Sequence, residues 1–367
     1  MEIKMKLYMK DGKINLLFID FVIREDICNF NCKYCLSNEF DNNSHNDKKR
    51  NEAIVYERNS ELAKRLDQVM EKILKLFDAP ILRISGGELF AIKNIDEFLR
   101  KQTHFKAIQV ITNGSLLDRQ LLDKLIKVKN CQLHISLDGN TLQQNQFRIG
   151  NKRANDKLLA NLELAYSYGF EIEVGSVLTN VNTGSYLSFL EYLQRYCGKI
   201  KAYPFPIRGK IREKYFPYQH QIEQFETILK RYSEFQNVLP SPKYIEEVIN
   251  VLRQKRELPC VIPKVMIQLF DNGDIVPCPN CWTNKIGNIL NDAPNTIVKN
   301  MSNDKIYKLF LKDKPRLPYC HSCMTSLDII NLYFSNHMSF QDIVQLPLYA
   351  NPEIQLILKE FKSHMKG

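Results

Sequence analysis

The sequence has 367 residues, of which 44% are hydrophobic and 25% charged, and its formal net charge is +10. This composition excludes a disordered or fibrous chain and predicts a globular protein with one large and one smaller domain, or two of medium size. No stretch approaches the roughly 20 apolar residues of a membrane span, and the charged N-terminus argues against a signal peptide. We therefore expect a cytoplasmic protein that does not contact a membrane.

The sequence contains ten cysteines, which bear on its function. Disulfides are rare in a reducing compartment, so clustered cysteines are expected to bind metal or to react as thiols. The positive charge favours an acidic partner, either nucleic acid, an anionic cofactor or an acidic peptide. A solvated surface of scattered lysines is the simpler alternative.

Short β-branched runs alternate with helical patterns over the first 209 residues, which is typical of βα units and a parallel sheet. Strands are predicted at 14–23, 81–85, 107–112, 131–137, 171–178 and 200–206. Helices are predicted at 60–76, 94–103, 117–127, 154–168 and 185–196. No seventh unit is visible, because residues 210–258 are polar and poor in strand signals. We therefore predict an α/β fold, a partial (β/α)6 TIM-like barrel with its site at the carboxyl ends of the strands.

A second region begins near Cys260 and contains five of the ten cysteines. It opens with a short hairpin, "KVMIQLFDNGDIVPC", in which Asn272-Gly273 is a two-residue turn signal. The predicted organisation is a barrel core at 1–209, a helical linker at 210–259, a cysteine-rich module of hairpin and helices at 260–323 and a helical tail at 324–367.

The loop after the first predicted strand reads "CNFNCKYC" and contains Cys28, Cys32 and Cys35. Three thiols are too few for a closed structural zinc site, which takes four ligands. An iron-sulfur cluster that is held by three thiolates keeps one iron open for another ligand. A zinc site with one distant ligand and a chance cluster remain the alternatives.

Glycine-rich and polar signals follow the other predicted strands. "GGE" (86–88) follows the second strand, "TNG" (112–114) the third, and "SLDG" (136–139) the fourth, with Arg148 beyond it. "PFPIRG" ends the sixth. Two adjacent glycines let a ligand approach the backbone closely. Together with the cysteine loop, these signals resemble the radical S-adenosylmethionine (radical SAM) superfamily.

This resemblance implies that Cys28, Cys32 and Cys35 hold a 4Fe-4S cluster whose open iron binds SAM. An electron from the cluster would cleave SAM to a 5'-deoxyadenosyl radical, which takes a hydrogen atom from the substrate. The reductant would be a protein such as flavodoxin or ferredoxin. The residues that the resemblance assigns to SAM are Tyr34, Gly86, Gly87, Glu88, Asn113, Ser136, Asp138 and Arg148, with Glu88 receiving the amino group.

The later cysteines resemble the auxiliary-cluster module called twitch, a shortened SPASM domain. The matching pattern is C-x12-G-x4-C followed by CxxC, and it implies an auxiliary 4Fe-4S cluster on Cys260, Cys278, Cys320 and Cys323. The full SPASM pattern has a further cysteine where this chain has Ile329, so one auxiliary cluster is expected. A four-cysteine zinc site is the alternative, because spacing alone does not separate zinc from iron and sulfide.

Other residues have weaker assignments. Cys281 could donate a hydrogen atom to a substrate radical, or substitute as a ligand, or have no role. Asp20 interrupts an apolar strand and must face a polar cavity or be paired; we assign it a catalytic role, with pairing to Arg83 as the alternative. His134 is expected to line the barrel. Cys131 and Cys197 are expected to be buried small hydrophobes.

The leading functional hypothesis is a radical SAM oxidoreductase that modifies a peptide in ribosomal natural-product maturation, by crosslinking, epimerisation or oxidation. Only 27 residues precede Cys28, so leader recognition is expected to need a separate protein or direct binding. The runner-up is a dehydrogenase or epimerase of an aminosugar or cyclitol. A zinc protein that binds nucleic acid is the third class; no aromatic-basic interleaving supports it.

Overall fold

A computed structural model describes residues 9–23, 27–36, 59–282, 284–310 and 317–365. A nine-stranded sheet forms its centre, in the order β12-β11-β10-β3-β5-β6-β7-β8-β9. Its strands are β3 Phe18–Ile23, β5 Ile81–Gly86, β6 Ala107–Thr112, β7 Cys131–Ser136, β8 Ile172–Leu178, β9 Ile200–Pro206, β10 Met266–Phe270, β11 Asp274–Val276 and β12 Gly287–Asn288. A separate three-stranded sheet is formed by β1 Met9–Lys10, β2 Lys13–Asn15 and β4 Phe77–Asp78.

Helices connect the strands of the barrel. They are α1 Asn59–Leu76, α2 Ile95–Lys101, α3 Arg119–Leu125, α4 Leu142–Asn145, α5 Lys152–Ser167 and α6 Tyr186–Leu193. The following region contains α7 Arg212–Tyr215, α8 Gln219–Lys230, α9 Tyr232–Phe235 and α10 Pro242–Leu252. The C-terminal part contains α11 Ile262–Val265, α12 Pro294–Asn303, α13 Lys305–Phe310, α14 Asp328–Phe334, α15 Phe340–Ile343 and α16 Pro352–His364. Short 3-10 turns lie at Leu89–Ala91, Thr183–Ser185, Gln194–Tyr196, Pro318–Ser322 and Pro347–Tyr349.

The six parallel strands of the predicted barrel are confirmed, from β3 to β9 in chain order across the sheet. The apolar positions on both faces of these strands are buried, as expected where helices cover a parallel sheet. Gly169 and Gly198 follow helices with φ of 81° and 80°, the left-handed geometry that ends a helix. The barrel therefore brings the ends of six strands to one edge.

One further strand, which the sequence analysis did not assign to the barrel, extends its sheet. β10 lies parallel to β3, with Gln268 beside Asp20, so the hairpin of the cysteine-rich region extends the same sheet. The strand signal of β10 was read correctly, but the sequence does not show that its partner lies some 250 residues earlier. The hairpin turn spans three residues, 271–273, and Gly273 takes the left-handed conformation with φ 90°.

The C-terminal segment is helical, as predicted, and packs at the amino ends of the strands. The ring of Tyr349 meets the ring of Phe18, the first residue of β3, at 6.3 Å between centroids. Glu353 pairs with Lys106, which directly precedes β6. This segment therefore closes the end of the barrel opposite the cysteine loop. Among the described residues, no helix combines the length and apolar character that a membrane crossing requires.

Candidate active site

The cysteine loop lies at the carboxyl end of β3 and is bonded to the end of β6. Asn29, which follows Cys28, accepts a hydrogen bond from Asn113 Nδ2 at 2.8 Å. The Asn29 amide in turn donates to Ser115 Oγ at 2.8 Å. Asn113 is therefore a support of the loop itself. Asn29 was missed in the sequence, where it reads as a spacer between two cysteines.

A second set of bonds joins the loop to the end of β7. The hydroxyl of Tyr34 donates to Asp138, and Arg148 Nη2 donates to the other carboxylate oxygen at 3.3 Å. Burial raises the pKa of the Tyr34 phenol well above its usual value. Burial also raises the pKa of Cys32 to about 12, although Arg148 opposes that rise. Tyr34, Asp138 and Arg148, predicted separately as SAM contacts, are thus one buried cluster beside Cys32.

Gly86 and Gly87 lie where the backbone that leads into the cysteine loop passes very close to β5. A Cβ atom on Gly86 would lie 1.8 Å from the carbonyl oxygen of Ile23, and one on Gly87 would lie 1.9 Å from that of Ile27. The chain that leads into the cysteine loop lies against these glycines, and their contact with SAM stays a prediction. The glycines therefore allow the loop to close against the end of β5.

The Glu88 carboxylate is fully buried and accepts three hydrogen bonds from this chain. Thr112 Oγ1 donates at 2.6 Å, Asn113 N at 2.7 Å and Phe90 N at 3.2 Å. Burial raises the pKa of this carboxyl above its usual value, against these hydrogen bonds. Glu88 joins the ends of β5 and β6, and its contact with the SAM amino group stays a prediction.

Glu88→Gln is expected to destabilise the protein by about 1–3 kcal/mol, because an amide nitrogen would face a hydrogen-bond donor at Asn113 or Thr112. Thermal and urea unfolding of the purified variant measure this loss. Glu171→Gln, at an exposed position before β8, is the control and should leave the free energy of unfolding unchanged. Equal stability of the Glu88→Gln protein and wild type would contradict the assignment.

A buried polar row crosses the barrel below these strand ends. Arg83 Nη1 donates to Asp20 at 3.3 Å and Arg83 Nε donates to Gln109 at 2.8 Å. Gln268 on β10 donates to the second oxygen of Asp20 at 2.8 Å. Asp20 is 3% exposed and fully paired, which matches the alternative considered for it and leaves its catalytic role without structural support. Burial raises the pKa of this carboxyl despite the charge of Arg83.

The row continues to His134, which lines the barrel as expected. Gln109 Nε2 donates to Glu173 at 2.8 Å, and His134 Nδ1 lies 3.1 Å from the same oxygen. A Cβ on Gly175 would lie 2.2 Å from His134 Nε2, so this glycine makes room for the imidazole. Ser136, a predicted SAM contact, lies half-buried at the end of β7, two residues nearer the cysteine loop.

The four cysteines of the second site come from three separate segments. Burial raises the pKa of Cys278 well above its usual value, and the nearby thiols of Cys323, Cys260 and Cys320 raise it further. These influences place the other three thiols within electrostatic range of Cys278. Burial likewise raises the pKa of Cys260 to about 12.

A buried ion pair holds these segments together. Arg256 donates to the carbonyl oxygen of Cys323, and its Nη2 donates to Asp328 Oδ1 at 2.7 Å. Asn331 bonds Asp328 at 2.8 Å and accepts from the amide of Val261, next to Cys260, at 2.7 Å. None of these residues was identified in the sequence. The sequence signal that could have identified them was an arginine, Arg256, four positions before the predicted thiol ligand Cys260.

Arg256→Met is expected to cost about 3–5 kcal/mol of unfolding free energy, because it leaves the buried charge of Asp328 without its cation. Urea unfolding of the purified protein measures the loss. Arg253→Met is the matched control: its ion pair with Glu226 is exposed and worth about 1 kcal/mol at most. Similar losses of unfolding free energy in the two variants would contradict the conclusion that Arg256 holds the segments of the second site together.

A further contact connects the second site to the barrel. Arg208, two residues after β9, donates to Asn280 Oδ1 at 2.5 Å, and Asn280 Nδ2 lies 2.6 Å from Cys323 Sγ. Cys281 is buried and its amide donates to the carbonyl of Cys278 at 3.0 Å. Its hydrogen-donor role stays a prediction. Cys197 is exposed, which corrects the expectation of burial, because it takes a left-handed conformation at the surface after α6.

Within the described ranges, no group of three or more cysteine, histidine, aspartate or glutamate side chains is arranged to hold a metal ion. The ligand assignments at both sites therefore stay predictions. The donor chemistry does fit an iron-sulfur cluster, since each site offers thiols whose charges influence one another. Cys28, Cys32 and Cys35 would hold the first cluster, and the four later cysteines the second.

The family model "Radical SAM superfamily" matches residues 22–193. GTP 3',8-cyclase of Synechocystis sp. is 30% identical over 176 residues, which are 47% of this chain and 49% of that protein. GTP 3',8-cyclase of Staphylococcus epidermidis is 25% identical over 236 residues, 63% of this chain and 66% of that protein. This chain thus spans about half to two thirds of the length of these relatives.

Two solved structures show the same fold. Streptococcus suis SuiB bound to S-adenosylmethionine has a TM-score of 0.57 and 14% identity, over 85% of this chain and 69% of SuiB. The structure of anSMEcpe with bound AdoMet and Kp18Cys peptide has a TM-score of 0.52 and 16% identity, over 94% of this chain and 99% of that one. The family's cofactors are a 4Fe-4S cluster and SAM. Residues 22–193 of this chain form a radical SAM superfamily domain.

Proposed function

We propose that this protein is a radical SAM enzyme that modifies a peptide. The observation that carries the proposal is the convergence of the cysteine loop with three strand ends. Gly87 admits the loop, Asn113 bonds it from β6 and Asp138 bonds it from β7. When bound, the cluster and SAM supply a 5'-deoxyadenosyl radical for hydrogen abstraction.

The chain's own residues hold the site in place and exclude water. Glu88 fixes the ends of β5 and β6 relative to each other, and Tyr34 with Asp138 fixes the last turn of the cysteine loop. The Arg148 guanidinium places a positive charge near Cys32. Its Nε atom is buried without a hydrogen-bond partner, so it has a donor left for a bound anionic group.

The second site supports an oxidative or radical-quenching step. Four thiols there would close a cluster that takes or gives electrons but leaves no open iron. Asn280, Arg208 and Arg256 surround Cys323 with donors and positive charge. Hydrogen bonds and charge near cluster sulfurs set reduction potentials, so these residues are suited to tune such a cluster.

A peptide is the substrate class that we favour. The net charge of +10 suits an acidic peptide, and the fold also holds a peptide in anSMEcpe. A separate recognition protein for its leader remains part of the proposal. A nucleotide is the second candidate, because the two relatives described above are GTP 3',8-cyclases. Aminosugars and cyclitols form the small-molecule alternative.

The test uses anaerobically reconstituted protein with SAM and dithionite. Formation of 5'-deoxyadenosine supports the radical proposal, and its absence from protein that contains iron and sulfide would overturn it. Acidic peptides, GTP and aminosugars are then compared for stimulation of this reaction. Deuterium uptake from solvent without other mass change indicates epimerisation, and loss of two hydrogens indicates oxidation or crosslinking.

A further inference from the structure

A group of cations and aromatic rings, which we name the basic rim, lies beside the cysteine loop. Lys33 Nζ is 5.0 Å from the centre of the Phe147 ring, and that ring is 4.4 Å from the ring of Tyr215. Lys214 Nζ is 5.3 Å from the Tyr215 ring. Both lysines are exposed. Helix α7 and the cysteine loop therefore place two exposed lysines around one pair of contacting aromatic rings.

Arg212 adds an unsatisfied guanidinium to the basic rim. Its guanidinium carbon is 4.1 Å from the centre of the Phe216 ring. Its Nε and Nη2 atoms are buried and have no hydrogen-bond partner. Buried donors of this kind are nearly always satisfied, by protein or by water, so these two atoms can take an acceptor from water or from a bound ligand.

Within the described part of this chain, no carboxylate forms an ion pair with a cation of the basic rim. Lys33, Arg212 and Lys214 make no ion pair with a described carboxylate, although Glu213 stands next to Arg212 in sequence and is exposed. Elsewhere most buried or half-buried arginines pair, as Arg83 does with Asp20. A rim of this kind attracts a polyanion.

The basic rim also contains an unsatisfied acceptor. The amide of Asn180 donates to the carbonyl oxygen of Tyr215 at 2.9 Å, which places Asn180 against the rim. Its side-chain Oδ1 atom is buried without a donor. A ligand that fills this surface must therefore bring acceptors for Arg212 and a donor for Asn180.

The basic rim borders the predicted SAM site. Phe147 packs with Tyr34 and Ile207 in a small apolar cluster, and Tyr215 and Cys32 pack against the same cluster. A ligand on the rim would consequently lie next to the residues assigned to SAM and the first cluster.

We propose that the basic rim binds an acidic segment of the peptide substrate, next to the residue that is modified. This inference rests on the proposed function and names its substrate class. Glutamate and aspartate side chains supply acceptors for Arg212, and the peptide backbone supplies the N–H that Asn180 lacks. A nucleotide would have to supply the acceptors from its phosphates and the donor from its ribose or base, whereas adjacent groups of an acidic peptide supply both, which is why we favour a peptide.

The test is fluorescence anisotropy with a fluorescein-labelled peptide of alternating Glu and Gly, with a Lys/Gly peptide of the same length as the charge control. We expect the reconstituted wild-type protein to bind the acidic probe, and added salt to weaken that binding. The Arg212→Glu/Lys214→Glu variant should bind at least about tenfold more weakly, since about 1.4 kcal/mol corresponds to that factor. Lys157→Glu, at an exposed position on α5, is the matched control and should bind as wild type does.

Binding of the acidic probe by the variant as tightly as by wild type would overturn the inference. So would tighter binding of GTP than of the peptide, measured by displacement of the probe. Thermal unfolding shows whether the variant is folded. If it is not, the salt dependence of wild-type binding tests the inference instead, and binding of the acidic probe that added salt does not weaken overturns it. Production of 5'-deoxyadenosine by wild type tests the proposed function separately, so the two failures are distinguishable.

Discussion

Replacing Cys32 with alanine is expected to reduce 5'-deoxyadenosine formation to the level of a protein-free control. The loop supplies three thiols. An iron-sulfur cluster that is bound by three thiolates and has one open iron is no longer held when one of those thiolates is removed. Cys32 packs against the apolar cluster of Tyr34, Phe147 and Ile207, and the charge of Arg148 acts on its thiol. The measurement is chromatographic quantification of 5'-deoxyadenosine after anaerobic incubation with SAM and dithionite.

Cys197→Ala is the matched control, because Cys197 is exposed and lies outside both cysteine sites. It should form 5'-deoxyadenosine at the wild-type rate. Iron analysis of the Cys32→Ala protein should show loss of the first cluster while iron at the second site stays. Full activity of Cys32→Ala would refute the assignment of this loop.

Gly87→Ala is expected to cost about 3 kcal/mol or more in unfolding free energy, since backbone atoms must shift to make room. The added Cβ would stand 1.9 Å from the Ile27 carbonyl oxygen and 3.0 Å from the Cβ of Cys28. The amide of Glu88, the next residue, donates to that same carbonyl at 2.6 Å, so relaxation would also break a hydrogen bond. Urea unfolding measures the stability loss, and bound iron reports whether the cysteine loop still closes.

Gly150→Ala provides the control, because a Cβ there would meet no atom within 4 Å. Its free energy of unfolding should stay within about 0.5 kcal/mol of wild type or rise slightly. If Gly87→Ala were as stable as Gly150→Ala and retained its iron, the close approach of the two backbones could not be the reason for this glycine.

The sequence predicted the barrel well because its signals are local. A buried parallel strand is a short apolar run, and each of the six runs ends in turn residues that mark the carboxyl edge of the sheet. Helix ends were equally readable where glycine takes positive φ, as at Gly169. The tripeptides at the strand ends could then be placed side by side, because parallel strands bring those ends together.

The contacts between strand ends could not be read in the same way. Glu88 meets Asn113 and Asp138 meets Tyr34 across gaps of 25 and 104 residues, and no local pattern encodes such a pair. Gly86 and Gly87 were identified, but their close contact with the backbone at Ile23 and Ile27 was not predicted. A glycine in the sequence indicates that no side chain fits at its position, but it does not identify the group that lies against it.

The second site shows the same limit at longer range. Its cysteines were identified by spacing, yet Arg256 and Asp328, which join their segments 72 residues apart, carry no motif. The pairing of β10 with β3 connects residues that are about 250 positions apart and places the hairpin on the barrel sheet. The strand before the cysteine loop and the hairpin between Cys260 and Cys278 therefore belong to one sheet.

The most direct test of this account is the electron paramagnetic resonance spectrum of the dithionite-reduced wild-type protein with and without SAM. If the loop of Cys28, Cys32 and Cys35 leaves one iron open, SAM should change the signal of one cluster. The Cys278→Ser variant, altered at the second site, should show the same change. A spectrum that SAM leaves unaltered in iron-loaded wild-type protein would contradict an open three-thiol site.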